Sequence, residues 1–177
     1  MRNGALRHVK TEEAIASVEG DRIGSGMQRW RRELPDVDCS GKAVVGRLLH
    51  LHEVFLTAIN RTLAKHRLKY PAFAVLATLR VEGAPYRMSP KQLLDTLILT
   101  SGGLSNLLRK LEKAGHIRRM ADDMDGRGVI VELTEQGRQL VEPAMRDHAE
   151  TERRLVAALS KEEQHVVASA LGRMMPK

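Results

Sequence analysis

The sequence predicts a mainly α-helical chain carrying one small β-hairpin, and three observations predict it. Apolar residues recur at helical spacing through most of the chain. Short apolar alternation is confined to residues 117–133. Side chains that start helices stand at the head of the clearest periodic runs. The most informative stretch is residues 88–137, MSPKQLLDTLILTSGGLSNLLRKLEKAGHIRRMADDMDGRGVIVELTEQG, in which two short helices, a turn and a hairpin come in succession.

Within that stretch Ser89 is a good N-cap, and Pro90 fits the first helical position, where its missing N–H costs nothing. Gln92 completes a capping box. A short helix therefore begins at Pro90, with Leu93, Leu94, Leu97 and Ile98 as its expected buried face. Thr100, Ser101, Gly102 and Gly103 supply a turn and a second cap. Leu104, Leu107, Leu108 and Leu111 then form a new stripe, which Ala114-Gly115 closes. Residues 117–120 and 128–133 read as strands joined by the turn-forming ADDMDGRG, with Arg127 near the tip and Asp125 bracing it. Two helices, a small-residue turn and a hairpin after them make a winged helix-turn-helix.

The second helix of this unit carries Ser105, Asn106, Arg109, Lys110 and Lys113 off its apolar stripe. Hydroxyl, amide and guanidinium groups contact phosphates and base edges without setting a carboxylate against them, so this helix reads as one that enters the major groove of double-stranded DNA. Arg127 on the wing is placed to reach a narrow minor groove, where negative potential is strongest; the competing reading is an ion pair with Asp123 or Asp125. The sequence-level interface is thus Thr100, Ser101, Ser105, Asn106, Arg109, Lys110 and Arg127.

Bulk properties agree. A chain of 177 residues holds one domain with a core plus helical extensions, and 42% hydrophobic with 29% charged residues describes a globular, soluble protein. Its formal charge of +7 suits a polyanionic partner. The single cysteine, Cys39, excludes an internal disulfide framework and a multi-cysteine zinc site; set among acids in its loop, it reads as an inert thiol. No apolar run approaches the roughly 20 residues of a membrane span. Residues 1–20 lack a signal-peptide core, so the expected compartment is the cytoplasm.

In chain order, residues 1–10 form a basic tail, and residues 11–19 are a candidate short helix from a Thr11 cap. Gly20, Gly24 and Gly26 are expected to break up the next segment, leaving a helix over 27–33 that contains Trp30. The first long helix spans about 41–67, with Val44, Leu48, Leu51, Phe55, Ile59 and Leu63 on one side and further apolar residues elsewhere. Pro71 opens a helix whose Phe73, Leu76 and Leu79 pack beneath the reading unit, and Gly83 ends it. Thr134 starts a long helix to about Leu159. Pro143 within it predicts a kink near Gln139 or two helices meeting there. A capping box at Ser160 opens a last helix with Val166, Val167, Ala170, Leu171 and Met174 as its buried edge. Terminal helices with surplus apolar residues on both sides of the winged unit point to a homodimer.

The run from Thr100 to Gly137 resembles the MarR family of bacterial transcription regulators, with Asp125, Arg127, Leu133, Thr134 and Gly137 on the family's D-x-R…L-T-x-x-G pattern. The resemblance implies an obligate winged-helix dimer on a palindromic operator, acting as a repressor that a small aromatic or anionic effector releases from DNA. The expected organisation is an N-terminal extension (1–39), a helical dimerisation region (40–70 and 138–177) and a DNA-binding lobe (71–137). A narrower similarity, in RWRRELPDVDCSGKAVVGRLLHL and VLATLRVEGAPYRMSPKQL, is to the urate-responsive subgroup. That likeness implies an effector stacked on Trp30 and charge-balanced by Arg119, against the plainer reading of Trp30 as a core anchor. Where the subgroup has an aspartate this chain has Ala74, which cannot accept ligand N–H bonds; this points away from urate and towards other aromatic anions.

Two other functional classes make different demands on the sequence. A winged helix can serve as a protein-interaction module without binding DNA. An enzyme would need a nucleophile elbow, a phosphate-binding glycine loop or carboxylates paired across a cleft, and the sequence has none. Neither a cofactor nor a metal is implied: His50 and His52 lie two apart on a helix and point to different sides.

Overall fold

The computed structural model describes residues 20–121 and 128–175. The expected helix at 11–19, the basic tail and the wing-tip residues Asp123, Asp125 and Arg127 lie outside the described residues. Seven helices and three short strands are described: α1 (Arg22–Glu33), α2 (Lys42–Ala64), α3 (Tyr70–Val81), β1 (Arg87–Met88), α4 (Pro90–Thr96), α5 (Ser101–Lys113), β2 (Ile117–Ala121), β3 (Val129–Leu133), α6 (Glu135–Leu155) and α7 (Lys161–Gly172). The chain divides into two compact units, one ending at Phe55 and the other starting at Leu56, so that α2 begins in the first and ends in the second.

In the first unit α1 starts five residues earlier than its glycines suggest. Asp21 caps it, accepting a 2.7 Å hydrogen bond from the Gly24 amide, and both of its carboxylate oxygens also hold the Arg47 guanidinium at 2.8 and 3.1 Å. Each interior glycine costs a helix about 1 kcal/mol relative to alanine, a sum that a cap and burial can offset. Gly24 is buried, and Ile23 sits so close to Gly46 of α2 that a Cβ there would come within 3.0 Å of it. Cys39 is buried in this unit, its Sγ 4.0 Å from the Met27 carbonyl.

The second unit holds the continuous core. Leu63 from α2, Phe73, Val75, Leu76 and Leu79 from α3, Leu93 from α4, Leu104, Leu108 and Leu111 from α5, Ile117, Val131 and Leu133 from the sheet, and Val141 and Ala144 from α6 are all buried. The helical periods expected for α3 and α5 are therefore the faces that pack. The three-stranded antiparallel sheet has the order β1-β3-β2, with Arg87 and Arg118 both registered against Glu132. Nothing in the sequence announces β1: two residues are too few to show alternation, and the pairing partner lies far along the chain.

Three expectations are corrected here. Ile98 is 99% exposed rather than part of the α4 face, because α4 ends at Thr96 and Leu97 is already extended, which takes Ile98 out of helical phase. α6 is a single helix across Pro143, not two; the proline ring lies on the exposed side, while Val141 and Ala144 next to it are fully buried and Arg80 of α3 grips Glu142 at 2.7 Å. α7 buries no residue at all: its Val166 and Val167, and Met174 just past its end, stand exposed because no described element of the same chain covers them.

Candidate nucleic-acid interface

The helix that carries the candidate contacts is fixed at both ends. Thr100 Oγ1 accepts from the Gly103 amide at 3.1 Å and sets the first turn, as its sequence position implies. At the other end Gly115 adopts φ +77°, a left-handed conformation that suits glycine, and a Cβ there would meet Gln136 Oε1 at 2.8 Å. Thr134 then ties the turn to the start of α6: its amide donates to the His116 carbonyl at 3.1 Å, and its hydroxyl donates to the Gly115 carbonyl at 2.7 Å. That hydroxyl oxygen also accepts from the Gly137 amide at 3.0 Å. Any side chain at 137 is blocked, since a Cβ would lie 2.1 Å from the His116 carbonyl oxygen. The L-T-x-x-G signature thus has a steric reason.

With Leu104, Leu108 and Leu111 turned into the core, the opposite side of α5 is left to solvent. Thr100, Ser101, Ser105, Asn106, Arg109, Lys110 and Lys113 are all exposed, as the sequence predicts for a groove-entering surface. Asn106, Arg109, Lys110, Glu112 and Lys113 line one shallow recess along it. Arg109 Nη2 donates to Asn106 Oδ1 at 2.6 Å, one turn apart, so these two side chains act as a unit.

Glu112 is the one acid on this helix, and sequence reasoning gives it no role. Its carboxylate turns to the wing: it accepts from the Arg119 guanidinium, with the Nε contact at 2.8 Å, and from the Arg119 amide at 3.1 Å. Those bonds hold the Glu112 carboxyl below its ordinary range, the guanidinium contributing most and partial burial opposing it. The negative charge is thereby paired, and Arg109, Lys110 and Lys113 keep the exposed face cationic. An acid seven residues before a strand arginine forms no pattern that marks such a pair in a sequence.

The root of the wing is held by a second ion cluster. Glu132 on the central strand accepts from Arg87 and Arg118 on the two flanking strands, each at 2.5 Å. Burial raises the Glu132 carboxyl, but the two guanidiniums outweigh it and hold it low. An arginine–carboxylate–arginine ladder across three strands fixes their register.

The residues expected to contact an effector have separate surroundings. Trp30, in the first unit, is 42% exposed, and the Lys42 ammonium lies 4.5 Å from its ring centroid, so one aromatic face already carries a cation. Arg119 is committed to Glu112. Ala74 is half-buried on α3 between the buried Phe73 and Val75. Among the described residues no three His, Cys, Asp or Glu side chains gather as metal ligands, and no described helix is long and apolar enough to cross a membrane.

Comparison with known proteins bears on this arrangement directly. The family model for the transcriptional regulators SarA/Rot matches residues 57–143. The HTH-type transcriptional regulator PecS of Dickeya dadantii is 36% identical over 148 residues, which cover 84% of this chain and 89% of that protein. A crystal structure of mutant MarR from E. coli complexed with operator DNA is similar with a TM-score of 0.69 at 24% identity, over 79% of this chain and all of that one. BpsR of Bordetella bronchiseptica, a protein whose DNA binding is regulated by 6-hydroxynicotinic acid, is similar with a TM-score of 0.67 at 23% identity, over 73% of this chain and 91% of that one.

Proposed function

The chain belongs to the MarR family of winged-helix transcription regulators, proteins that bind rather than catalyse, and from that premise we propose that it is a homodimeric repressor whose two α5 helices read the half-sites of a palindromic operator. The observation that carries this reading is the exposed face of α5, where Ser101, Ser105, Asn106, Arg109, Lys110 and Lys113 stand clear of the core and the helix's one acid is neutralised by Arg119. In this reading Arg127 is the wing's minor-groove contact. Half-sites lie about one helical turn apart on one face of the duplex.

The dimer is supported by surface that a solitary chain leaves wet. Val166 on α7 and Met174 just beyond its end are 65% and 57% exposed, and on α2 Val44, Val45 and Leu49 are also bare. Residues 40–70 and 138–177 are accordingly proposed as the dimerisation region and 71–137 as the DNA-binding lobe. An aromatic or anionic effector, of the kind named for the Bordetella relative, would favour a lobe spacing that no longer matches the groove repeat. Its candidate contacts are Trp30, through its exposed ring; Arg119, whose guanidinium an anion would have to draw from Glu112; and Ala74 on α3.

A mobility-shift titration against duplex enriched from a random pool tests the central claim. Binding that weakens steeply between about 50 and 200 mM salt, with two half-sites in the enriched sequence, is the expected result. A protein that enriches no sequence and shows no salt-dependent shift is not a DNA-binding regulator. A screen of aromatic acids for release then tests the effector arm, with Trp30→Ala and Arg119→Ala expected to blunt the response.

A further inference from the structure

Asparagine and arginine on a groove-entering helix read different bases. A free asparagine pairs with adenine by accepting from N6 and donating to N7, which uses both halves of its amide. Arginine pairs with guanine by donating twice, to O6 and N7. In this chain the two side chains are already joined in the absence of DNA: Asn106 Oδ1 accepts from Arg109 Nη2 at 2.6 Å. That bond uses one of the two lone pairs of the Asn106 oxygen and turns the amide along the helix toward Arg109, so pairing with adenine would require the amide to swing away from the guanidinium. Arg109 spends one donor on that bond and keeps its other N–H groups, now on a guanidinium held in one orientation along the recess shared with Lys110 and Lys113.

We propose that the Asn106–Arg109 bond sets the base preference of this regulator: Arg109 reads a guanine in each half-site, and Asn106 is the positioning residue that aims it rather than a reader of adenine. The inference rests on the DNA-binding reading above and adds the identity of one base pair to it. Glu112, the acid on the same recess, does not compete for Arg109, because its oxygens are occupied by Arg119. Truncating Asn106 leaves Arg109 charged and able to touch phosphate but no longer aimed.

The test uses the full-length protein on the enriched duplex, with 7-deazaguanine or 7-deazaadenine substituted one position at a time to remove the N7 acceptor. For the wild type, one guanine per half-site should weaken binding about tenfold when replaced, and no adenine should respond comparably. Arg109→Ala should bind natural and 7-deazaguanine duplexes alike at that position. Asn106→Ala should retain salt-dependent binding but lose most of its preference for guanine there. Asn106→Asp, which restores an acceptor for the guanidinium, should recover the guanine-to-adenine ratio even if overall affinity falls. A structural role alone would not move that ratio. The inference is overturned if an adenine is the sensitive base and Asn106→Ala abolishes that sensitivity. It is also overturned if Arg109→Ala weakens all sequences equally with a salt slope smaller by about one, the mark of a phosphate contact. Failure to enrich any duplex would instead remove the DNA-binding reading itself, and this inference with it.

Discussion

α5 and α7 are nearly the same length and open in the same way, on a hydroxyl that accepts from the third amide of the helix. They differ in what lies behind them. α5 turns three leucines into the core and shows solvent a polar, cationic face; α7 buries nothing and shows solvent its valines. A cap states where a helix starts, but only burial states whether the chain itself supplies a surface for it to lie on. An isolated twelve-residue helix is marginal in water, so α7 needs a surface from elsewhere, whereas α5 is anchored and needs only a ligand for its outer side. The chemistry of the two exposed faces names the two kinds of partner: a polyanion for one, an apolar protein surface for the other.

That contrast can be broken most forcefully from behind α5. Leu108→Ala should lower the unfolding free energy of the protein by about 2–5 kcal/mol in urea titration, because it opens a void where a buried leucine stood. The paired change Val166→Ser with Val167→Ser should leave the folded protomer intact yet weaken self-association by about 1–2 kcal/mol per side chain, read as a shift toward monomer in sedimentation equilibrium. If those serines destabilise a monomeric form instead, α7 is packed within its own chain and the contrast fails. Removing the caps should have matched effects: Thr100→Ala and Ser160→Ala each cost about 1 kcal/mol, but only the second should act through dimer stability.

A pH ramp sharpens the same point. Just beyond α5, His116 has a buried Nδ1 with no hydrogen-bond partner among the described residues, and burial pulls its pKa below the ordinary value near 6.5. The unfolded chain therefore binds the proton more readily than the folded one. Stability from this group is complete above about pH 6.5 and is lost as pH falls toward the depressed folded value. His116→Gln should flatten that decline in thermal melts between about pH 7 and 5. The smallest stability effect belongs to the outer face: Lys113→Ala should change unfolding by no more than about 0.5 kcal/mol while reducing the salt slope of DNA binding by about one.

Much of this is legible in the sequence because the relevant signals are local. The boxes at Ser89 and Ser160, the caps at Thr100 and Thr134, and the leucine stripe of α5 each depend on residues within a turn or two of one another, and all are present. The features that escape depend on distant partners or on phase. β1 exists only because β3 is beside it. Ile98 leaves the buried face because α4 stops two residues short, and the glycines of α1 are overruled by Asp21 and the ion pair it makes with Arg47. Lys42 over the Trp30 ring and Arg119 on Glu112 show the same limit at the site itself: charge can be counted in a sequence, but its pairing cannot.

The missing side chain at 137 has a mechanical meaning. Because the first turn of α6 is pressed against the His116 carbonyl and stitched to Gly115 through Thr134, the long helix and the tail of the reading helix form one stiff joint. A side chain at 137 should therefore loosen the seating of α6, which runs on to Leu155, against the tail of α5.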